Sequence, residues 1–133
     1  MATNEQIRTG LADRLRTITD LRVYERPPGE IVVDAAIIRR RTTTYDVTLD
    51  GLDDTTWSIV VFVAFGNTDA GTLALDEYLS PAGPRSVPAA VHADMTLGGV
   101  VDFARVASAE GERVTNYAGS DYLSAEFVVE IGD

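Results

Sequence analysis

The sequence contains no cysteine and no lysine, and only one histidine, His92, among its 133 residues. Without cysteine there is no disulfide framework, thiolate zinc site, iron–sulfur cluster or thiol catalysis. A single histidine excludes every mechanism that needs two. No serine lies in a Gly-x-Ser-x-Gly context, and the paired Gly98 and Gly99 precede a predicted strand and not a helix, so neither a nucleophile elbow nor a phosphate loop is predicted. The sequence therefore favours a protein without catalytic residues, metal or cofactor.

Long apolar runs and an excess of basic charge are missing as well. The longest uncharged apolar run, Ile59–Phe65, is too short to cross a bilayer, and the polar start of the chain lacks the pattern of a secretion signal. Twenty-one acidic residues face 11 basic ones, all arginine, which gives a net charge of −10. This acidity argues against a stand-alone nucleic-acid binder and against docking on an anionic membrane. We expect a soluble protein made in the cytoplasm.

The composition, 45% hydrophobic and 24% charged, is that of a globular protein of one domain, covering residues 1–133. Apolar spacing predicts three helices, over residues 5–17, 69–79 and 86–95, the last with Met95 facing inward. Strands are predicted over residues 21–25, 35–40, 43–49, 56–65, 100–107, 113–117 and 122–131, with a turn at 109–112. This order favours an α+β fold, a mixed or antiparallel sheet with about three helices packed on one face.

The strand at residues 56–65 is apolar on both faces. Trp57, Ile59 and Val61 alternate with Val60 and Phe62, which is typical of a central strand that is covered on each side. The helices can cover one face. A partner subunit is a candidate cover for the other.

Candidate contact residues lie near that strand. The arginines at positions 39, 40 and 41 form either a charged edge strand or a contact surface for an acidic neighbour, such as another copy of the chain. The nearby acids do not have the spacing of a calcium loop and read as a hairpin tip. Aromatic residues here are either interface anchors or core residues. The complete set of interface candidates is Arg39, Arg40, Arg41, Asp50, Asp53, Asp54, Trp57 and Tyr122.

Several segments together resemble the tail terminator, or head–tail joining, proteins of long-tailed phages of the siphovirus type, especially those that infect actinobacteria. The likeness lies in the opening helix and the extended piece after it, the central strand, the helix with its Pro-Ala-Gly-Pro turn, and the last strand. In this sequence these are Ile7–Leu15 with Leu21–Tyr24, Trp57–Val63, Leu75–Val87 with Thr96–Gly99, and Tyr122–Glu130.

The resemblance implies a sheet with helices on one side and a structural, non-enzymatic role in the neck of the virion. It implies a ring of six copies that caps the tail tube, ends its polymerisation and joins the head-closure connector. Genomic DNA would pass through the lumen without specific binding. Six copies at −10 place roughly −60 on the ring, and a negative lumen does not retain phosphates. The region Arg39–Thr55 is then expected to contact the tail tube protein or a neighbouring subunit.

Two other functions remain open from the sequence. A head-closure or neck adaptor protein has the same ring architecture at another position in the virion. An acidic regulator that mimics DNA also fits the charge, although it does not explain the resemblance.

Overall fold

The computed structural model describes residues 3–44, 54–65 and 68–132, and for residues 40–44, 54 and 68 it describes the backbone alone. Five strands and three helices occupy these ranges. In chain order they are α1 (Asn4–Leu15), β1 (Arg22–Tyr24), β2 (Ala35–Thr44), β3 (Asp54–Ala64), α2 (Thr68–Leu79), α3 (Val87–His92), β4 (Phe103–Tyr117) and β5 (Ser120–Gly132).

The strands form one mixed sheet in the order β1-β2-β3-β5-β4. Only β1 and β2 are parallel, and the other neighbours are antiparallel. The two-sided strand β3 lies at the centre, where Ile59 is opposite Ile38 of β2 and Phe127 of β5. The predicted single-domain α+β fold, with helices packed on one face of a mixed sheet, is confirmed.

Local sequence signals set the helix boundaries. Thr3 caps α1 in a capping box: its hydroxyl accepts the Gln6 amide hydrogen, and the Gln6 side chain accepts from the Thr3 amide. Ser86 caps α3, with Pro88 in the first turn, where a missing amide hydrogen costs nothing. The apolar stripes of these helices, including Leu11, Leu15 and Val91, are fully buried against the sheet.

The main core lies between the helices and one face of the sheet. Alternate residues of the strands and the inner stripes of the helices share it, as strand and helix periodicities require. The sheet contributes Ala36, Ile38, Trp57, Ile59, Val61, Val63, Leu123, Ala125, Phe127, Val129 and Ile131, and the helices contribute Ile7, Leu11, Leu15, Leu75, Tyr78, Val87 and Val91.

Strand β4 differs most from the prediction. It begins at Phe103, not at residue 100, and runs through the turn predicted at 109–112. Register shifts after Val106 and after Glu110 absorb extra residues as bulges, so pairing with β5 continues past Gly111. The chain reverses only at Ala118–Gly119, both with positive φ (52° and 88°), which is the geometry of a tight two-residue hairpin turn.

Two other predicted elements change. Residues 35–44 form the single strand β2 where two strands were predicted, because a bulge between Arg40 and Thr42 carries the chain across the break. The rest of the second predicted strand, residues 45–49, lies outside the described residues. Helix α3 ends at His92, and Met95 is 40% exposed instead of facing inward.

Helix α2 approaches the sheet most closely at Gly71. A Cβ added there would be 2.8 Å from the carbonyl oxygen of Ala64 and 2.8 Å from Cδ1 of Leu123. Helix propensity alone predicts that Gly71→Ala stabilises the protein by about 1 kcal/mol. We expect the reverse, a net loss of about 1–2 kcal/mol, because the clash involves backbone.

Urea denaturation of Gly71→Ala measures this loss. Gly29→Ala is the control, because a Cβ at Gly29 would have no atom within 4 Å, and it should change the free energy of unfolding by less than about 0.5 kcal/mol. A Gly71→Ala protein as stable as the wild type would contradict the expectation.

Candidate interaction surface

The face of the sheet opposite the helices, called the open face below, carries a second apolar cluster. Its buried members are Ile31, Ala35, Ile37 and Phe62. The segment before β2 covers one end of it, because Ile31 is buried there and the Tyr117 hydroxyl donates a hydrogen bond to the carbonyl of Pro28. In the part of the chain that the structure describes, no helix packs on this cluster.

Aromatic rings occupy the middle of the open face. Phe62 meets Tyr117 and Tyr122 edge to face, with ring centroids 5.6 and 6.0 Å away. Such contacts stabilise beyond the area that they bury. Tyr122 is half-buried, so this predicted interface candidate lies on the open face as part of its aromatic cluster.

Next to the aromatic cluster is a shallow cavity of about 150 Å³, called the open-face cavity. It is lined by Arg39, Val60, Phe62, Arg113, Thr115, Ser124 and Glu126. The Thr115 and Ser124 hydroxyls are 2.7 Å apart and satisfy each other. Two arginines against one glutamate make the lining formally positive in a chain of net charge −10. The cavity therefore combines an apolar floor with a rim that attracts acidic groups.

The three predicted arginines occupy different strand positions. Arg39 is exposed, lies opposite Ser58 and lines the open-face cavity. Arg40 is at the next position, opposite Trp57, and Arg41 is the extra residue of the bulge in β2. The structure thus assigns Arg39 to the cavity, while the side chains of the other two are outside its description.

The predicted acidic candidates fall at the edge of the described chain. Asp54 is the first residue of β3 and pairs with Thr44 and with Gly132 of β5. Its side chain is not described. Asp50 and Asp53 lie outside the described residues.

Trp57 belongs to the core on the helix side. Its side chain is fully buried, and the guanidinium of Arg8 lies 5.2 Å from its ring centroid. Arg8 is itself fixed by hydrogen bonds to the carbonyls of Glu25 at 2.7 Å and Ile38 at 3.1 Å. Of the two readings, interface anchor or core residue, the structure supports the core one, since Trp57 stabilises α1 against the sheet and offers no surface to a partner.

A polar cluster that sequence reasoning missed joins α2 to the segment before β2 and to the segment that follows α2. The Tyr78 hydroxyl donates to Oδ2 of Asp34 at 2.8 Å, and Nη2 of Arg85 donates to the same oxygen at 3.0 Å. Arg85 also lies over the Tyr78 ring, 4.7 Å from its centroid, and contacts Glu77 at 3.2 Å. Burial, together with the Asp34 carboxylate, raises the pKa of Tyr78 well above its ordinary value. The hydroxyl therefore stays protonated and keeps donating.

The side chains of this cluster bind one another. A cavity of about 300 Å³ lies beside Arg85, but the guanidinium is already shared between two carboxylates and the Tyr78 hydroxyl. Tyr78 is the residue from which this cluster could have been predicted, since a tyrosine on a buried helix stripe needs a hydrogen-bond partner for its hydroxyl.

Helix α3 and the loop after it cap the first half of the outer edge of β4. The amide of Val106 donates to Nε2 of His92 at 3.0 Å, and the amide of Ala104 donates to the carbonyl of Met95 at 2.6 Å. The single histidine is thus a hydrogen-bond acceptor for the sheet edge.

Within residues 3–44, 54–65 and 68–132, no group of three or more histidine and carboxylate side chains is placed to hold a metal ion. In the same ranges no helix has the length and apolar character needed to cross a membrane. The sequence matches no protein-family model and no curated protein.

Proposed function

We propose that this chain is a structural, non-catalytic subunit of a phage neck, a tail terminator that forms a six-membered ring on the tail tube. The observation that carries the proposal is the open face, on which no helix packs among the described residues: its partly buried Tyr117 and Tyr122 lie near a cavity with an arginine rim. A face of this kind is suited to burial against another protein chain.

The resemblance supports the same role. Its segments coincide with α1 and β1, the central strand β3, the connected helices α2 and α3, and the last strand β5. These elements are most of the helices and strands of the domain. Their arrangement agrees with the resemblance, which implies a sheet with helices on one side.

The proposed partners follow from this role. Other copies of the chain form the ring, the tail tube protein lies below it, and the head-closure connector lies above it. Arg39–Thr55 is the region proposed to contact the tube or the next subunit. DNA passes through a lumen that the acidity of the chain keeps from retaining phosphates.

Electron microscopy of virus particles made without this protein tests the proposal. We expect abnormally long tails that are detached from full heads, because nothing ends polymerisation of the tube. Supplying the protein from a plasmid should restore joined particles with tails of normal length.

Two results would redirect or overturn the proposal. Free tails of normal length beside unjoined heads would move the protein to the connector side of the neck. Intact, infectious particles would contradict both the tail terminator and the connector function, and would favour an acidic regulator.

A further inference from the structure

We infer that copies of this chain associate head-to-tail, with an acidic ridge on α2 of one copy seated in the open-face cavity of the next. The inference deepens the proposed ring and rests on it for the biological setting. The contact itself is argued from exposed side chains on two opposite sides of the domain.

The ridge is built around Leu73. Its side chain is 63% exposed, more than any other large hydrophobic side chain in the described ranges. Asp69, Asp76 and Glu77 are exposed at positions i−4, i+3 and i+4, which places them beside Leu73 on the outer face of the helix. The ridge is therefore one apolar side chain surrounded by three carboxylates, and we call it the α2 ridge.

The open-face cavity has the complementary pattern. Its floor includes Val60 and Phe62, Arg39 and Arg113 are exposed at its rim, and Glu126 is the one carboxylate among its lining residues. A cavity of about 150 Å³ holds a group as large as benzene, so it has room for the four-carbon side chain of Leu73. An apolar group surrounded by acids thus meets an apolar floor flanked by arginines.

The ion pairs already present at the two surfaces include exposed side chains, which can exchange partners at a low cost in free energy. Arg113 contacts Glu110 at 2.8 Å, with side chains 59% and 68% exposed. Glu77 contacts Arg85 at 3.2 Å and is itself 51% exposed. Exposed pairs contribute little to stability, whereas arginine beside a carboxylate in a desolvated contact contributes more.

The positions of the two surfaces determine the symmetry of the contact. The α2 ridge lies on the helix side and the cavity on the open face, so a copy cannot fill its own cavity. Each copy presents a ridge to one neighbour and a cavity to another. Such a head-to-tail contact forms a ring when the rotation between copies closes.

The test uses two variants, each with one defective surface. Leu73→Asp removes the ridge, and Arg39→Glu with Arg113→Glu reverses the rim of the cavity. Native mass spectrometry and sedimentation measure the association of each purified full-length chain, and circular dichroism confirms that each is folded. We expect the wild type to self-associate and each variant to associate at least about tenfold more weakly.

Mixing the variants gives the decisive result. The cavity variant keeps an intact ridge and the ridge variant an intact cavity, so an equimolar mixture should form one-to-one dimers that grow no further. Val32→Asp is the control for the leucine change, since Val32 is 54% exposed and belongs neither to the α2 ridge nor to the lining of the open-face cavity. Arg22→Glu with Arg26→Glu, both exposed, matches the charge change. Neither control should alter association.

Three results would overturn the contact: a wild type that stays monomeric up to about 1 mM, variants that associate like the wild type, or a mixture that forms no dimers. None of these depends on the phage phenotype. If particles lacking the protein have long tails but the mixture fails, only the contact is wrong. If dimers form but particles are normal, only the neck function is wrong.

Discussion

Replacement of Trp57 by alanine is expected to lower the free energy of unfolding by about 3–5 kcal/mol. The side chain is fully buried in the central strand and packs under Arg8 of α1, so its loss leaves a cavity and removes the contact with Arg8. Domains are stable by only about 5–15 kcal/mol. The variant should therefore be partly unfolded or unfold at much lower urea concentration, as followed by circular dichroism.

Two companion variants separate packing from partner binding. Trp57→Phe should cost clearly less than alanine, because it keeps a ring in the core and because Nε1 of Trp57 has no hydrogen-bond acceptor among the described residues. Leu73→Ala, at a 63% exposed position, should cost less than about 0.5 kcal/mol. A Trp57→Ala protein that is as stable as the wild type but fails to assemble would restore Trp57 as an interface anchor.

Arg85→Met is expected to lower the free energy of unfolding by about 1.5–3 kcal/mol. The change leaves the Asp34 carboxylate, whose side chain is only 23% exposed, without its neighbouring positive charge. It also removes the stacking on Tyr78, 4.7 Å from the ring centroid. Methionine keeps most of the aliphatic volume, so lost charge and hydrogen bonds dominate the effect.

Urea denaturation followed by the fluorescence of Trp57, the only tryptophan, measures this change. Arg105→Met is the matched control, because the Arg105–Glu130 pair is 55% and 46% exposed, and such pairs contribute at most about 1 kcal/mol. Equal losses in the two variants would show that Asp34, Tyr78 and Arg85 do not form a stabilising cluster.

Strands and helices that have a regular apolar pattern with clear ends could be predicted from the sequence. In β3 both faces are apolar, and the strand is central with a cluster on each side. The last strand alternates cleanly, and its apolar residues at every second position are all buried: Leu123, Ala125, Phe127, Val129 and Ile131. The caps Thr3 and Ser86 are of the residue types whose side chains accept helix amide hydrogens, so helix starts of this kind are visible in a sequence.

Segments whose conformation depends on residues far away in the sequence could not be predicted from local patterns. The Ala-Glu-Gly-Glu stretch at 109–112 has turn composition, but its conformation follows β5, which supplies a continuous partner strand. Gly111 then serves close packing, because an added Cβ would be 2.8 Å from Cδ1 of Leu79. Local propensity is overruled here by pairing between strands.

The candidate surface was only partly predictable for the same reason. The sequence indicated that one face of β3 lacks a helical cover, and Arg39 and Tyr122 do lie on that face. It did not show that Arg113, far along the chain, reaches the same cavity, since this depends on the pairing of β4 with β5.

The capped edge of β4 bears on how the protein avoids aggregation. Unpaired strand edges act as templates for strands of other chains. Here His92 and the carbonyl of Met95 already occupy the outward amides of Val106 and Ala104. Farther along, the bulge after Glu110 and the charges of the exposed Glu110, Glu112 and Arg113 interrupt the remaining edge. An incoming strand would lose register after a few residues, so this edge of the sheet is a poor template for strands of other copies.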